Sequence, residues 1–135
     1  MSYSRGAPEN ISCRNQIKCL YLNCQSAAKL GALDSLKMYC LYNSVDLLLL
    51  SETWFHDSIR DAELKFDNQL QVFRCDRTSR GGGVCVIARK IFKIVRIDLD
   101  SPGEFVAIDI IANSTYLRIL CCYVSSSGSS SVRFD

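Results

Sequence analysis

Residues 44–57 read SVDLLLLSETWFHD, and the fold turns on how that stretch is taken. Leu47 to Leu50 are four consecutive leucines, the pattern of a short strand covered on both faces rather than one half-open to water. Two residues further on comes a carboxylate, Glu52, and then Trp54, the single tryptophan of the chain. A buried strand that stops on an acid is either reaching the surface or delivering that acid to a site. Taken alone, the surface reading is the commoner one, because most charged residues mark nothing but solvent.

Upstream, IKCLYLN (17–23) reads as a strand ending near Asn23. The next segment, QSAAKLGALDSLKMYCLY (25–42), carries Leu33, Leu36 and Cys40 at helical spacing, with Ser26 as the expected N-cap and Asn43 and Ser44 as the stop. Strand, helix, strand is the order that makes two parallel neighbours, so Asn23 and Glu52 are expected at the same edge of one sheet, where sites of such sheets gather. An asparagine there can orient a phosphate or a metal ligand, although Asn at a strand end is also an ordinary turn residue.

Downstream, HDSIRDAELKFDN (56–68) is polar and weakly helical, and the rest is β-rich. QVFRC, GVCVIA, VRIDL, FVAIDII and YLRILCCY are short apolar runs separated by turns. Val95, Ile97 and Leu99 alternate with Arg96 and Asp98, as in a half-buried strand. DSPGE (100–104) predicts a hairpin turn. Between two of these strands lies FRCDRTSRGGGV (73–84), in which Arg74, Arg77 and Arg80 precede three glycines. The arginines could track phosphates bidentately, or the segment could be a polar hairpin tip whose glycines supply positive φ. It is not a Walker loop, since the GK[ST] lysine and hydroxyl are missing. Tyr123 ends the last strand, where a phenol could reach a phosphate or cap the core. His56, alone in a polar segment, is set aside as a general base.

The bulk composition narrows the class. The chain has 135 residues, 48% hydrophobic and 22% charged, with a net charge of +2. That describes a globular domain whose attraction to a polyanion must come from local clustering. Eight cysteines raise the question of a disulfide scaffold, but the N-terminus shows no signal-peptide core and most cysteines sit inside apolar runs, where a thiol acts as a small apolar side chain. The expectation is reduced thiols, no disulfide-linked partner, and an intracellular setting in nucleus or cytoplasm. No CxxC pair suggests zinc, and no apolar run approaches the roughly 20 residues of a membrane span. Residues 1–15 read as a flexible arm. Residues 16–135 read as a partial domain, because SSSGSSS (125–131) leads only to VRFD.

Together, LYLNCQS (20–26), DLLLLSETW (46–54), VFRCDRTSRGGGVCV (72–86) and LRILCCYVSSS (117–127) resemble the endonuclease domain of non-LTR retrotransposons, a branch of the endonuclease/exonuclease/phosphatase superfamily that includes the apurinic/apyrimidinic endonucleases. The resemblance implies an α+β fold, the N-terminal half of a four-layer, DNase I-like α/β sandwich, with a mixed sheet and one main helix. It implies Mg²⁺ or Mn²⁺ as cofactor and DNA as partner. The parent domain would nick target DNA so that the 3′-hydroxyl primes an attached reverse transcriptase. Glu52 then stands where the family holds its metal, with Asn23 as the active-site asparagine and second metal contact, and Tyr123 as the tyrosine at the scissile phosphate. Gln25 replaces an aspartate of the apurinic enzymes and joins Arg74, Arg77 and Arg80 as an expected DNA contact. The family's G-D-x-N and S-D-H motifs have no match here, so the chain alone is not expected to be an active nuclease, and one face of its sheet is expected to lie bare. A non-catalytic remnant, or a phosphodiesterase acting on RNA or another phosphoester, are the alternatives.

Overall fold

The structure, a computed structural model, describes residues 16–29, 31–65, 68–77, 81–112 and 114–124, with the side chain of residue 112 left aside. The expected arm at 1–15, the serine loop from Ser125 and the candidate Arg80 lie outside the described residues.

Strand β1 (Cys19–Asn23) leads through helix α1 (Ala32–Tyr42) into β2 (Leu47–Ser51). The two strands are parallel neighbours with Asn23 opposite Ser51, as the strand–helix–strand order requires. One helical turn, α2 (Asp61–Leu64), precedes β3 (Leu70–Cys75) and β4 (Val84–Arg89). Strand β4 inserts antiparallel between β2 and β3, completing a four-stranded mixed sheet in the order β1-β2-β4-β3. Then β5 (Lys93–Ile97), β6 (Glu104–Ala112) and β7 (Thr115–Tyr123) form a separate three-stranded antiparallel sheet in chain order.

The leucine run explains the layering. Side chains alternate along a strand, so Leu48 and Leu50 join Cys85 and Ile87 of β4 on one face, against Cys40, Leu33 and Leu36 of α1. Leu47 turns to the other face with Val84, Val86 and Ala88, where it meets Val106, Ile108 and Ile110 of β6. Strand β2 is thus covered by a helix on one side and by a second sheet on the other. The expectation of a bare sheet face is corrected here: β5, β6 and β7 cover it. Successive strands read alike in sequence whether they extend one sheet or stack as another.

The helix also begins later than its pattern suggests. Ser26 is not its N-cap; Gly31 precedes the first turn at φ 80°. Residues 24–27 instead run beside the extension of β2, with the N–H groups of Cys24, Ser26 and Ala27 donating to the carbonyls of Ser51, Glu52 and Thr53 at 2.9, 2.8 and 3.0 Å. Tertiary pairing outweighs the weak helix signal of a Ser-Ala-Ala segment.

At the opposite end of the sheet, buried Asp46 accepts from Lys18 N at 2.9 Å and from Arg89 Nη1 at 3.2 Å, tying the ends of β1, β2 and β4 together. The described cysteines are free thiols, and burial pushes Cys24 and Cys121 up to about 11. Among the described residues, no helix is long and apolar enough to cross a membrane.

Candidate functional site

Beyond Ser51 the chain leaves the sheet in an unusual conformation. Glu52 and Trp54 both have positive φ, 54° and 58°, a region that disfavours residues with a Cβ by roughly 1 kcal/mol or more each. Two loops hold them there. On one side lie the Ser26 and Ala27 amides. On the other, Thr53 N donates to Gly83 O at 3.3 Å and Trp54 N to Gly82 O at 2.9 Å, while Thr53 itself is fully buried. Strain that its surroundings over-determine is characteristic of functional sites.

In this conformation the indole Nε1 of Trp54 donates to Glu52 Oε2 at 2.7 Å. The phenol of Tyr123, at the end of β7, lies near enough to the same carboxylate to act on it as a hydrogen-bond donor and lower its pKa. The Tyr123 bond, then the Trp54 bond, and the charge of Arg77 hold the Glu52 carboxyl below the ordinary carboxylate range, so it is ionised at neutral pH. Reciprocally, the Glu52 bond pushes the Tyr123 phenol up.

Arg77 completes the group. It follows β3 in the turn toward β4, and because Val84 pairs with Ser51 the turn lands beside Glu52. Its guanidinium lies 5.4 Å from the centroid of the Tyr123 ring. Nε and Nη2 donate to Glu104 Oε1 and Oε2 at 3.0 and 2.6 Å, and Glu104 pushes the Arg77 pKa further up. Glu104 opens β6 opposite Tyr123 and also accepts from Gly83 N at 2.8 Å. Gly81, Gly82 and Gly83 all have positive φ. A Cβ on Gly82 would overlap Glu104 Oε1 and the Arg77 guanidinium, and one on Gly83 would stand 2.5 Å from Thr53 Oγ1.

The remaining candidates are spread around this cluster. Asn23 is exposed one step along the same edge, its Oδ1 accepting from Gln25 N at 3.3 Å. Gln25 is exposed on the adjoining turn at φ 44°. Arg74 points elsewhere: Nη1 donates to Ile59 O at 2.6 Å, Nη2 to His56 O at 3.2 Å, and the guanidinium binds Asp76 and Asp61 while covering the Phe55 ring. It braces segment 55–61. His56 is exposed and hydrogen-bonded to Ser58. Glu104 was not singled out by the sequence; its only signal was an acid opening a mostly apolar strand straight after a turn.

Glu52 is an anionic oxygen ligand of the kind a hard divalent cation takes, and Mg²⁺ commonly uses one or two carboxylates while keeping water. Among the described residues, no three His, Cys, Asp or Glu side chains converge as a closed metal cage. The donor set therefore fits a largely hydrated cation on Glu52 and not a fully enclosed one.

No protein-family model matches the chain, and no curated protein does. Among solved structures it is similar to the endonuclease domain of TRAS1, a telomere-specific non-LTR retrotransposon, at 12% identity and a TM-score of 0.63, over 84% of this chain and 47% of that one. It is also similar to an endonuclease/exonuclease/phosphatase family protein from Leptotrichia buccalis C-1013-b, at 16% identity and a TM-score of 0.55, over 82% of this chain and 55% of that one. At these identities the likeness is one of fold: the described residues take up a mixed-sheet α+β arrangement like part of an endonuclease/exonuclease/phosphatase-type, DNase I-like fold. It spans about half the length of the structures it matches.

Proposed function

We propose that this chain carries part of the site of a divalent-cation-dependent phosphodiester hydrolase acting on DNA. The observation that carries the reading is Glu52, an ionised carboxylate held at the open end of a parallel strand pair by a phenol and an indole, with an arginine alongside. An endonuclease among the bearers of this fold favours a nucleic acid as substrate. Mg²⁺ or Mn²⁺ bound there would supply Lewis acidity at a phosphate oxygen. Glu52 and Asn23 would hold the cation, the Tyr123 hydroxyl would turn its single O–H from Glu52 to a phosphate oxygen, and Arg77 would counter the phosphate charge. Gln25, exposed on the adjoining turn, would meet the strand beside it. In a complete retrotransposon protein the nicked 3′-hydroxyl would serve a reverse transcriptase, in nucleus or cytoplasm.

Nicking of supercoiled plasmid tests this. Conversion in Mg²⁺ that is abolished by chelation and by Glu52→Gln is the expected result; conversion that survives Glu52→Gln would remove the site from the chemistry. A second reading, DNA binding without cleavage, is favoured by the lack of a closed set of metal ligands among the described residues. Plasmid that is bound but never cut would establish it.

A further inference from the structure

Arg77 has more donors than its bonds to described residues use. Glu104 grips Nε and Nη2 in a two-pronged contact, which fixes the plane and rotation of a guanidinium, and the Tyr123 ring backs one face. Nη1 donates to no described residue. It borders Gly81, where a Cβ would sit 3.6 Å from Nη1 and 3.9 Å from Trp54 Nε1. Arg77 Nη1 and the indole that holds Glu52 therefore both lie within 4 Å of the point that a Gly81 side chain would fill. Glu104 is itself fixed, by Gly83 N at 2.8 Å, and the space it occupies exists only because residue 82 is glycine.

We propose that Glu104 is a positioning residue: by gripping two donors of Arg77 it presents the third, Nη1, to a phosphate oxygen of a nucleic-acid backbone lying across Glu52. The inference rests on the phosphodiesterase reading above and adds to it how the anion is oriented. It makes a prediction opposite in sign to charge counting. A carboxylate beside a polyanion site is repulsive, so its neutralisation should tighten binding if Glu104 acts only as a charge. If it orients Arg77, neutralisation should loosen binding.

The test is binding of a short fluorescein-labelled DNA duplex by the full chain, without metal, across a salt series. Arg77→Ala should lower the magnitude of the log–log salt slope by about 0.9, one phosphate contact. Glu104→Gln, isosteric and still able to accept from Gly83 N, should weaken binding about tenfold, the order of one charge-assisted hydrogen bond. In an Arg77→Lys background the same Glu104→Gln change should have no further effect, because an ammonium has no fork to orient; a role confined to fold stability would not show that dependence on Arg77. Should Glu104→Gln not fold, Arg77→Lys alone decides: charge is conserved, and binding should still weaken about tenfold. Equal or tighter binding by Glu104→Gln, or by Arg77→Lys when that variant decides, overturns the positioning role while leaving the phosphodiesterase reading intact. Failure of the wild-type chain to bind the duplex sinks that reading instead, and the inference with it.

Discussion

Glu52 is held by two donors of different kinds, and each can be removed singly. Trp54→Phe keeps the ring and loses the N–H. Since a hydrogen bond to a charged group is worth about 1.5–3 kcal/mol and this one is only partly buried, the change should cost about 1.5 kcal/mol, read as a shift in the urea midpoint. Acid should act through the same carboxyl. Its folded pKa lies below the ordinary 4.5 because of Tyr123, then Trp54, and Arg77, so its contribution is present above 4.5 and is lost as pH falls through the depressed value. Glu52→Gln should flatten the acid limb of a stability–pH profile and leave the neutral region level; an unchanged acid limb would mean that the carboxyl is not held this way. Tyr123 behaves in the opposite sense. Its phenol is raised above the ordinary 10.0 chiefly by the Glu52 bond, so that contribution is present below 10.0 and lost as pH rises through the folded value. With ¹³C-labelled tyrosine, the Tyr123 resonance should titrate above 10.0 in the wild type and move downward in Glu52→Gln. At this scale Glu52 and Tyr123 were legible because a polar group ending an apolar strand stands out from its neighbours. The division of labour between Arg74 and Arg77 was not. Three residues apart in one turn-bearing segment, they are told apart by the distant groups the fold brings to them, Asp61 and Phe55 for one, Glu104 and Tyr123 for the other.

At the scale of elements, the turn between β3 and β4 and the exit of β2 form one unit, joined by the bonds of Thr53 and Trp54 to the glycine carbonyls. Gly82→Ala would force a Cβ into the space of Glu104 and Arg77 at a positive-φ residue. It should destabilise by about 2 kcal/mol or more, read as a fall in the urea midpoint. A variant as stable as wild type would show that the turn can rearrange. The triple glycine was visible in the sequence as a need for unusual backbone, but its reason lies in a carboxylate from a strand further along the chain. The leucine run was the most readable element, since only a strand covered on both sides tolerates four such residues in succession. The helix start was the least readable: Ser26 has a cap's chemistry, yet its amide is claimed by Glu52 O.

For the whole molecule, the two apolar clusters share β2 and β4, whose alternate side chains belong to opposite cores. Neither core can melt without exposing the back of the other. Leu48→Ala and Val106→Ala, one in each cluster, should each cost about 2–4 kcal/mol and lower the same single calorimetric transition; two separable transitions would show that the layers are independent. Apolar surface remains on the outside, notably Met38 at 64% and Tyr42 at 91% exposed on α1. The double change Met38→Lys, Tyr42→Lys should reduce concentration-dependent association in sedimentation without lowering the melting temperature. The overall layering was only half legible, because stacking of β5–β7 on the first sheet depends on contacts among residues far apart in the chain.

That distance has a consequence for how the protein is made. Cys121 Sγ reaches Leu50 O across 71 residues of sequence, and Tyr123 crosses a similar span to reach Glu52. A ribosome delivers β1, α1 and β2 early, and their local parallel pair can form while β7 is still untranslated. Until that last strand arrives, Glu52 has its indole partner but no phenol, and Arg77 has no aromatic ring to lie against. The cluster around Glu52 is therefore a late product of synthesis, and a nascent chain stalled before Tyr123 would expose the acid with its surroundings unfinished.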